Sequence, residues 1–431
     1  MNAKQEKKIK GLRWWIVTLV AVATMINYID RFAMAIMWPE MSEELGIGNA
    51  GYAKIMSMFL VAYGVSQMLS GKLYDIVGTR LGFVISIVVW SLSAALHGLA
   101  RSVVSFSLVR FLLGVGEAGN WPGATKSNAE WFPAKERAFA QGIFSTGTSA
   151  GSIVAPPLIA ILYLSIGWKI TFMLLGLLGM LWIIPWWYLN RALPKDHPWI
   201  TDEEKQHILG DQALSDTPAS TERVPGWGEL LTYKQSYSVI ISRIFLDPVW
   251  WLFVVWLPIY LHNKFGFNVK EIGMYAWMPY VGAALGSLFG GYLSGYFMEK
   301  GWTVNKARKW AITLGAIIMF PSLIMTAFAS TSAAAIALIT IILFGFQISM
   351  NNIQTLPSDF FGGGTVGSLA GMGGLSAVLG VIVVTNLVPV IVDTSGYTLV
   401  FLMGAGLVPA ALLFVFLFSG EIKKVQLKEP K

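Results

Sequence analysis

The chain contains no cysteine, which excludes disulfide frameworks, thiol nucleophiles and cysteine-ligated metals. Its four histidines are scattered and give no metal-ligand spacing. Charge is scarce: 13% of 431 residues are charged, where a soluble domain carries about 25%. What fills the gap is apolar, at 55% hydrophobic residues and a mean hydropathy of +0.61. Such a chain is solvated mostly by lipid. Its long apolar runs lack the two-residue alternation of barrel strands, so the class is an all-α polytopic membrane protein. A net charge of +7 fits Lys- and Arg-rich loops better than nucleic-acid binding. Neither an enzyme nor a metal or cofactor site is expected.

Counting apolar runs between charged or turn-rich breaks predicts twelve spans, near 14–37, 51–73, 81–100, 104–127, 138–163, 170–189, 238–261, 272–298, 310–329, 333–357, 366–392 and 398–419. The first apolar run is longer than a signal peptide's h-region and lacks a clear cleavage site, so it is expected to be retained as span one. Cations concentrate in alternate loops and both tails: Lys4, Lys7, Lys8, Lys10 and Arg13, then Lys72 and Arg80, Lys135 and Arg137, Lys300, Lys306, Arg308 and Lys309, and Lys423, Lys424, Lys428 and Lys431. Both termini are therefore expected in the cytoplasm. The longest polar break, about 190–236, carries Pro194, Pro198, Pro218 and Pro225 and splits the chain into six-span halves, 1–189 and 237–420, with a tail at 421–431. Within it, Thr201 and Glu204 stand at capping-box spacing. Two such halves are the layout of parallel-repeat secondary transporters.

Span one contains Asn27-Tyr28-Ile29-Asp30-Arg31. An ionisable group at bilayer depth costs roughly 2.5–3.5 kcal/mol, so it faces a partner or a wet cavity. Adjacent positions sit roughly 100° apart on a helix, too close to one face for both to meet lipid. Asp30 and Arg31 either neutralise each other or find separate partners. Span four supplies Arg110 and Glu117, two turns apart on one face, among the small residues Gly114, Gly116, Ala118 and Gly119. Helical rise puts Asp30 and Arg110 both about 9–10 Å below the outer boundary and Glu117 about 20 Å in. This predicts an Asp30–Arg110 encounter that leaves Arg31 open for an anion. Low dielectric favours the protonated acid and a neighbouring Arg the carboxylate, which makes Glu117 a candidate proton carrier set by Arg110. The alternative is a fixed Arg110–Glu117 ion pair.

Weaker candidates are polar residues inside other spans. Tyr63 and Gln67 lie one turn apart on span two, Thr148 sits on span five and Ser376 on span eleven. Span ten carries Asn351, Asn352 and Gln354. Hydroxyls and amides suit a polyhydroxylated ligand. They also serve helix packing, and for Thr148 and Ser376 both readings stand. The adjacent amides Asn351 and Asn352, together with Gln354, point to a cavity more than to packing. Arg243 and Asp247 read as a local i, i+4 pair, and Lys126 as a snorkelling cation.

The stretch Gly71-Lys72-Leu73-Tyr74-Asp75-Ile76-Val77-Gly78-Thr79-Arg80 resembles the major facilitator superfamily signature G-x-L-x-D-x-x-G-x-R. Gly291-Tyr292-Leu293-Ser294-Gly295 echoes it without the acid. The resemblance implies the twelve-helix major facilitator fold of two pseudo-symmetric halves, with Gly71, Asp75 and Arg80 as a gate in which Asp75 can pair with Arg and cap a neighbouring helix end in one state of the transport cycle. The Asn27–Arg31 and Arg110–Glu117 segments, followed by Glu130-Trp131-Phe132-Pro133, look like its anion:cation symporter branch. Asp247-Pro248-Val249-Trp250-Trp251 and Ala276-Trp277-Met278-Pro279 look most like bacterial hexuronate transporters. That likeness implies proton-coupled import of glucuronate or galacturonate across a bacterial inner membrane by a monomer, with alternating access. It assigns substrate contact to Tyr28, Arg31 and Tyr63 and proton exchange to Asp30 and Glu117, modulated by Arg110. Thr148 and Ser376 replace amides of the sugar-acid relatives, which leaves aldonates and aldarates as alternatives. An organic-anion exchanger of the same fold would want two convergent cations.

Overall fold

The computed structural model describes residues 8–215, 226–361 and 365–425. Lys4, Lys7, Lys428, Lys431, Pro218 and Pro225 lie outside the described residues, as do the side chains of Lys135 and Arg137. Among the described residues every regular element is a helix, and the one β feature is an isolated bridge between Ile9 and Ile200. In order run α1 (Leu12–Leu45), α2 (Asn49–Leu96), α3 (Val103–Glu117), α4 (Asn120–Trp131), α5 (Ala134–Leu189), α6 (Asp202–Ser215), α7 (Trp227–Leu230), α8 (Lys234–Phe265), α9 (Val269–Tyr275), α10 (Met278–Glu299), α11 (Val304–Ala327), α12 (Ser332–Phe360) and α13 (Thr365–Ser419).

At 48, 56 and 55 residues, α2, α5 and α13 exceed twice the roughly 20 that cross a bilayer. Each is broken inside by a glycine with positive φ: Gly78 (φ 77), Gly167 (φ 73) and Gly396 (φ 69). A side chain is strained there, so these glycines act as the loops. The α3–α4 pair makes one span interrupted at Ala118 and Gly119, and α9–α10 makes another. Among the described residues this gives the twelve expected spans.

Helix starts are written in capping residues. Ser102 and Ser105 form a capping box on α3, and Asn268 and Glu271 one on α9. Thr201 caps α6 by accepting from Glu204 N at 3.3 Å, as its spacing predicts. Glu204 does not close the box. Its carboxylate accepts from Leu12 N at 3.0 Å and Arg13 N at 3.2 Å, satisfying the unpaired first turn of α1 instead.

The chain packs as two compact units, one of Met1–Ala33, Val61–Ala155 and Ser165–Thr221, the other of Met34–Leu60, Pro156–Leu164 and Glu222–Lys431. In the first, a Cβ at Gly147 would collide with the Ala21 carbonyl, and one at Gly151 with Met25 and Tyr28. Glycine thus lets α5 lie directly against α1. Gly116 and Gly119 do the same for the α3–α4 span against Trp90 and Ser86 of α2. In the second, Gly282, Gly286 and Gly290 form a stripe along α10 that admits the α12 backbone at Thr340, Phe344 and Ile348.

Candidate substrate site

Three arms of the first unit bring charge together in its interior. Helix α1 contributes Asn27, Tyr28, Asp30 and Arg31, α2 contributes Tyr63, and α3 contributes Arg110 and Glu117. All are buried, Arg110 and Glu117 completely. Arg31 donates from Nε (3.1 Å) and Nη2 (2.7 Å) to one oxygen, Oε2, of Glu117. Nη2 also reaches Asn27 Oδ1 at 3.3 Å, one helical turn back. The guanidinium carbon lies 4.8 Å from the Tyr28 ring centroid and 5.0 Å from that of Tyr63. A cation is therefore held between two aromatic rings with a carboxylate on its fork, an arrangement that suits recognition of a planar anion.

This geometry corrects the sequence-based pairing. The Asp30–Arg110 encounter expected from depth is not a hydrogen bond: both Asp30 oxygens are buried with no hydrogen-bond partner among the described residues. Arg110 and Glu117 are the charges that act on Asp30. Arg31, expected to be open, is held by Glu117, and the fixed Arg110–Glu117 pair is replaced by Arg31–Glu117. The reason is the length of α1. Ending span one near 37 stopped it short of Pro39, whereas the helix runs through that proline to Leu45. Arg31 is fourteen residues from that end, and Glu117 fourteen from the start of α3 at Val103. At 1.5 Å per residue both lie about 21 Å in, so they are the residues that share a level.

Around this core, Glu117 Oε1, Asn27 Nδ2 and Thr148 Oγ1 are buried polar atoms without a hydrogen bond among the described residues. Thr148 stands beside Tyr28. Such atoms are what a polar solute or buried water satisfies. Gln67 is half-buried one turn beyond Tyr63. Asn120 Nδ2 donates to Thr24 Oγ1 at 2.9 Å, tying α4 to α1 below the cluster.

In the signature loop, Asp75 and Arg80 each have their own partners in this structure. Asp75 takes Lys126, at 2.7 Å, and Lys126 also donates to the Tyr74 carbonyl at 2.9 Å. Arg80 donates from Nη1 to the Arg191 carbonyl and from Nη2 to the Trp187 carbonyl, both at 3.1 Å, capping the helix that ends at Leu189. The break at Gly78 puts Asp75 and Arg80 on separate helical arms with different neighbours, so the acid's partner is Lys126. Gly71, one turn before Asp75, has open space where a Cβ would stand.

In the second unit three of the polar candidates, Asn351, Asn352 and Ser376, are hydrogen-bonded to neighbouring helices. Asn351 Nδ2 donates to the Ser287 carbonyl (3.0 Å) and hydroxyl (2.8 Å). Asn352 is buried, donating to the Gly290 and Ile348 carbonyls and accepting from Arg308 at 3.2 Å. In this structure these two amides are therefore engaged by α10 and α11. Ser376 donates to the Ile240 and Gly373 carbonyls at 2.8 Å, the packing role. Gln354 is exposed. Arg243 and Asp247 form the expected i, i+4 pair, at 2.9 and 3.1 Å. Sequence reasoning missed Asp359, which holds Arg308 at 2.9 Å, and Asn27, whose spacing of four from Arg31 was the available signal.

Residues 20–385, most of the chain, match the Major Facilitator Superfamily. The chain is a member of that superfamily. Its curated relatives include the hexuronate transporter of Escherichia coli (strain K12), 34% identical over 92% of this chain and 91% of that protein. The galacturonate transporter of Dickeya chrysanthemi is 35% identical over 72% of this chain and 90% of that protein. A probable galactarate/D-glucarate transporter of Escherichia coli (strain K12) is 27% identical over 99% and 97%. Among solved structures, a bacterial homologue of the human lysosomal transporter Spinster superposes with a TM-score of 0.72 at 17% identity, covering 96% of this chain and 97% of that one. That likeness concerns the fold alone. This major facilitator protein is thus a multi-pass membrane transporter, not an enzyme, related to carriers of sugar acids and other organic anions.

Proposed function

We propose that this transporter is a proton-coupled symporter that imports a sugar acid, a hexuronate such as glucuronate or galacturonate. The relatives named for hexuronate and galacturonate support the substrate class. Alternating access would use residues 1–189 and 237–420 as halves joined by 190–236, in a bacterial inner membrane with both termini cytoplasmic, as the placement of Lys and Arg in the sequence favours.

The observation that carries the reading is that Glu117 occupies the Arg31 fork. A substrate carboxylate needs the same two N–H groups. Two carboxylates competing for one guanidinium in low dielectric cannot both stay charged there at low cost. A proton on Glu117 removes its claim on Arg31 and leaves the fork to the substrate. Proton and anion then enter together, and the loaded site carries the same net charge as the empty one, with no added negative charge to occlude. Tyr28, Tyr63, Gln67 and Thr148 offer hydroxyls and an amide for the sugar, and Asp30 with Arg110 is a second proton site beside the first. The gate at Gly71, Asp75 and Arg80 works by exchanging partners such as Lys126.

The test is uptake of radiolabelled glucuronate into proteoliposomes holding the purified protein. An inward proton gradient should drive accumulation, and a protonophore should abolish it. Accumulation unaffected by collapse of the gradient would contradict symport and favour an exchanger. A second substrate reading, an aldarate, is favoured by the galactarate/D-glucarate relative. Stronger competition by galactarate than by galacturonate would establish it.

A further inference from the structure

Beyond the transport site, one outer flank of the first unit is organised for a ligand of another kind. In the arm of α5 after Gly167, Met180, Ile183, Ile184, Trp187 and Tyr188, with Arg191 just past its end, recur at spacings of three and four and share one face. With Arg80 they line a groove of about 640 Å³. Ile184 is 66% exposed, Trp187 47% and Tyr188 56%. From Met180 to Arg191 the groove rises about 16 Å, roughly one leaflet's half of a 30 Å hydrocarbon core. Along that rise the chemistry runs from aliphatic to aromatic to cationic, which is the order of acyl chain, interface and headgroup.

Both arginines are held in place at the polar end. Arg80 is fixed by the Arg191 and Trp187 carbonyls and stacks on the Trp187 ring at 3.9 Å. Arg191 donates from Nε to the Tyr188 carbonyl at 3.2 Å and stacks at 4.3 Å on Trp199 and 4.8 Å on Tyr188. The terminal nitrogens of Arg191 make no hydrogen bond among the described residues. No carboxylate lines the groove among the described residues. A choline or ethanolamine headgroup brings a cation that no carboxylate of the groove would meet, beside two arginines that repel it.

We propose that this groove is a binding site for an anionic phospholipid, with an acyl chain along Met180, Ile183 and Ile184 and the phosphate between Arg80 and Arg191. Each arginine near a membrane surface contributes about fivefold in affinity for an anionic lipid. Two give a preference of about thirtyfold for phosphatidylglycerol over phosphatidylcholine with the same chains.

The full-length protein in neutral detergent micelles can be titrated with either lipid, or with inorganic phosphate, and the bound species counted by native mass spectrometry. Wild type should favour phosphatidylglycerol about thirtyfold, and Arg191→Gln should reduce that preference about fivefold. Lys309→Gln, which alters a basic residue in the other unit, should leave it unchanged. Equal retention of the two lipids, or an undiminished preference in Arg191→Gln, would overturn the proposal. So would inorganic phosphate displacing phosphatidylglycerol at matching affinity, because the ligand would then be a free anion.

Discussion

Replacing Arg31 with alanine removes one partner of a fully buried ion pair, and two costs follow that can be measured separately. Glu117, completely buried, loses both of its hydrogen bonds to the guanidinium. Breaking a buried pair from one side costs about 3–5 kcal/mol unless the remaining acid takes up a proton. Arg31→Ala should therefore melt well below wild type in detergent, and more so at high pH, where Glu117 cannot neutralise itself. The second cost falls on substrate. Hydrogen bonds to a charged group contribute about 1.5–3 kcal/mol each. Losing the two-pronged fork at the lower figure removes about 3 kcal/mol, or about 150-fold in Kd for glucuronate. The double variant Arg31→Ala/Glu117→Gln separates the effects. It carries no unpaired charge at this pair, so it should recover most of the melting temperature while binding stays lost. Equilibrium binding by tryptophan fluorescence or scintillation proximity, beside thermal melts of the three variants, gives both quantities. A double variant that binds glucuronate with wild-type affinity would refute the assignment of Arg31 to the substrate carboxylate.

Three further outcomes follow from the geometry. Asp75 is largely exposed where it meets Lys126, so Asp75→Asn should change stability by less than about 1 kcal/mol yet slow maximal uptake; unchanged uptake would remove it from the gate. Asn352→Ala should cost about 1–3 kcal/mol by leaving Arg308 and the Gly290 carbonyl under-satisfied, with glucuronate Kd unchanged; weaker binding at unchanged stability would restore that amide to a ligand cavity. Gly286→Val would press on the Phe344 carbonyl where α10 meets α12, costing about 1–3 kcal/mol. Leu288→Val, at an exposed position, serves as its control and should melt with wild type.

The twelve spans were legible because apolar length is a coarse signal that survives errors of several residues. The breaks at Gly78, Gly167 and Gly396 fall between the expected spans, although a single glycine with positive φ, and not a long loop, makes each turn. The charged residues were legible as a set, but their pairing was not. It depended on where α1 ends, and a proline that stops a soluble helix is tolerated within a membrane one. Shifting that end from 37 to 45 moves Arg31 to the level of Glu117. The partners of the α12 amides were not legible for a related reason. Where Gly290 lets two backbones touch, an asparagine side chain bridges helices as readily as it lines a cavity, and spacing alone does not separate the two. Lys126 was visible only as a cation near a helix end, because its partner Asp75 is fifty-one residues away.

The account rests on Glu117 and substrate sharing Arg31, which Glu117→Gln tests most directly. In proteoliposomes this variant should lose accumulation of glucuronate driven by a proton gradient while still exchanging labelled for unlabelled glucuronate in counterflow. Gradient-driven accumulation at the wild-type level would contradict the account, because the proton would then be travelling on another group.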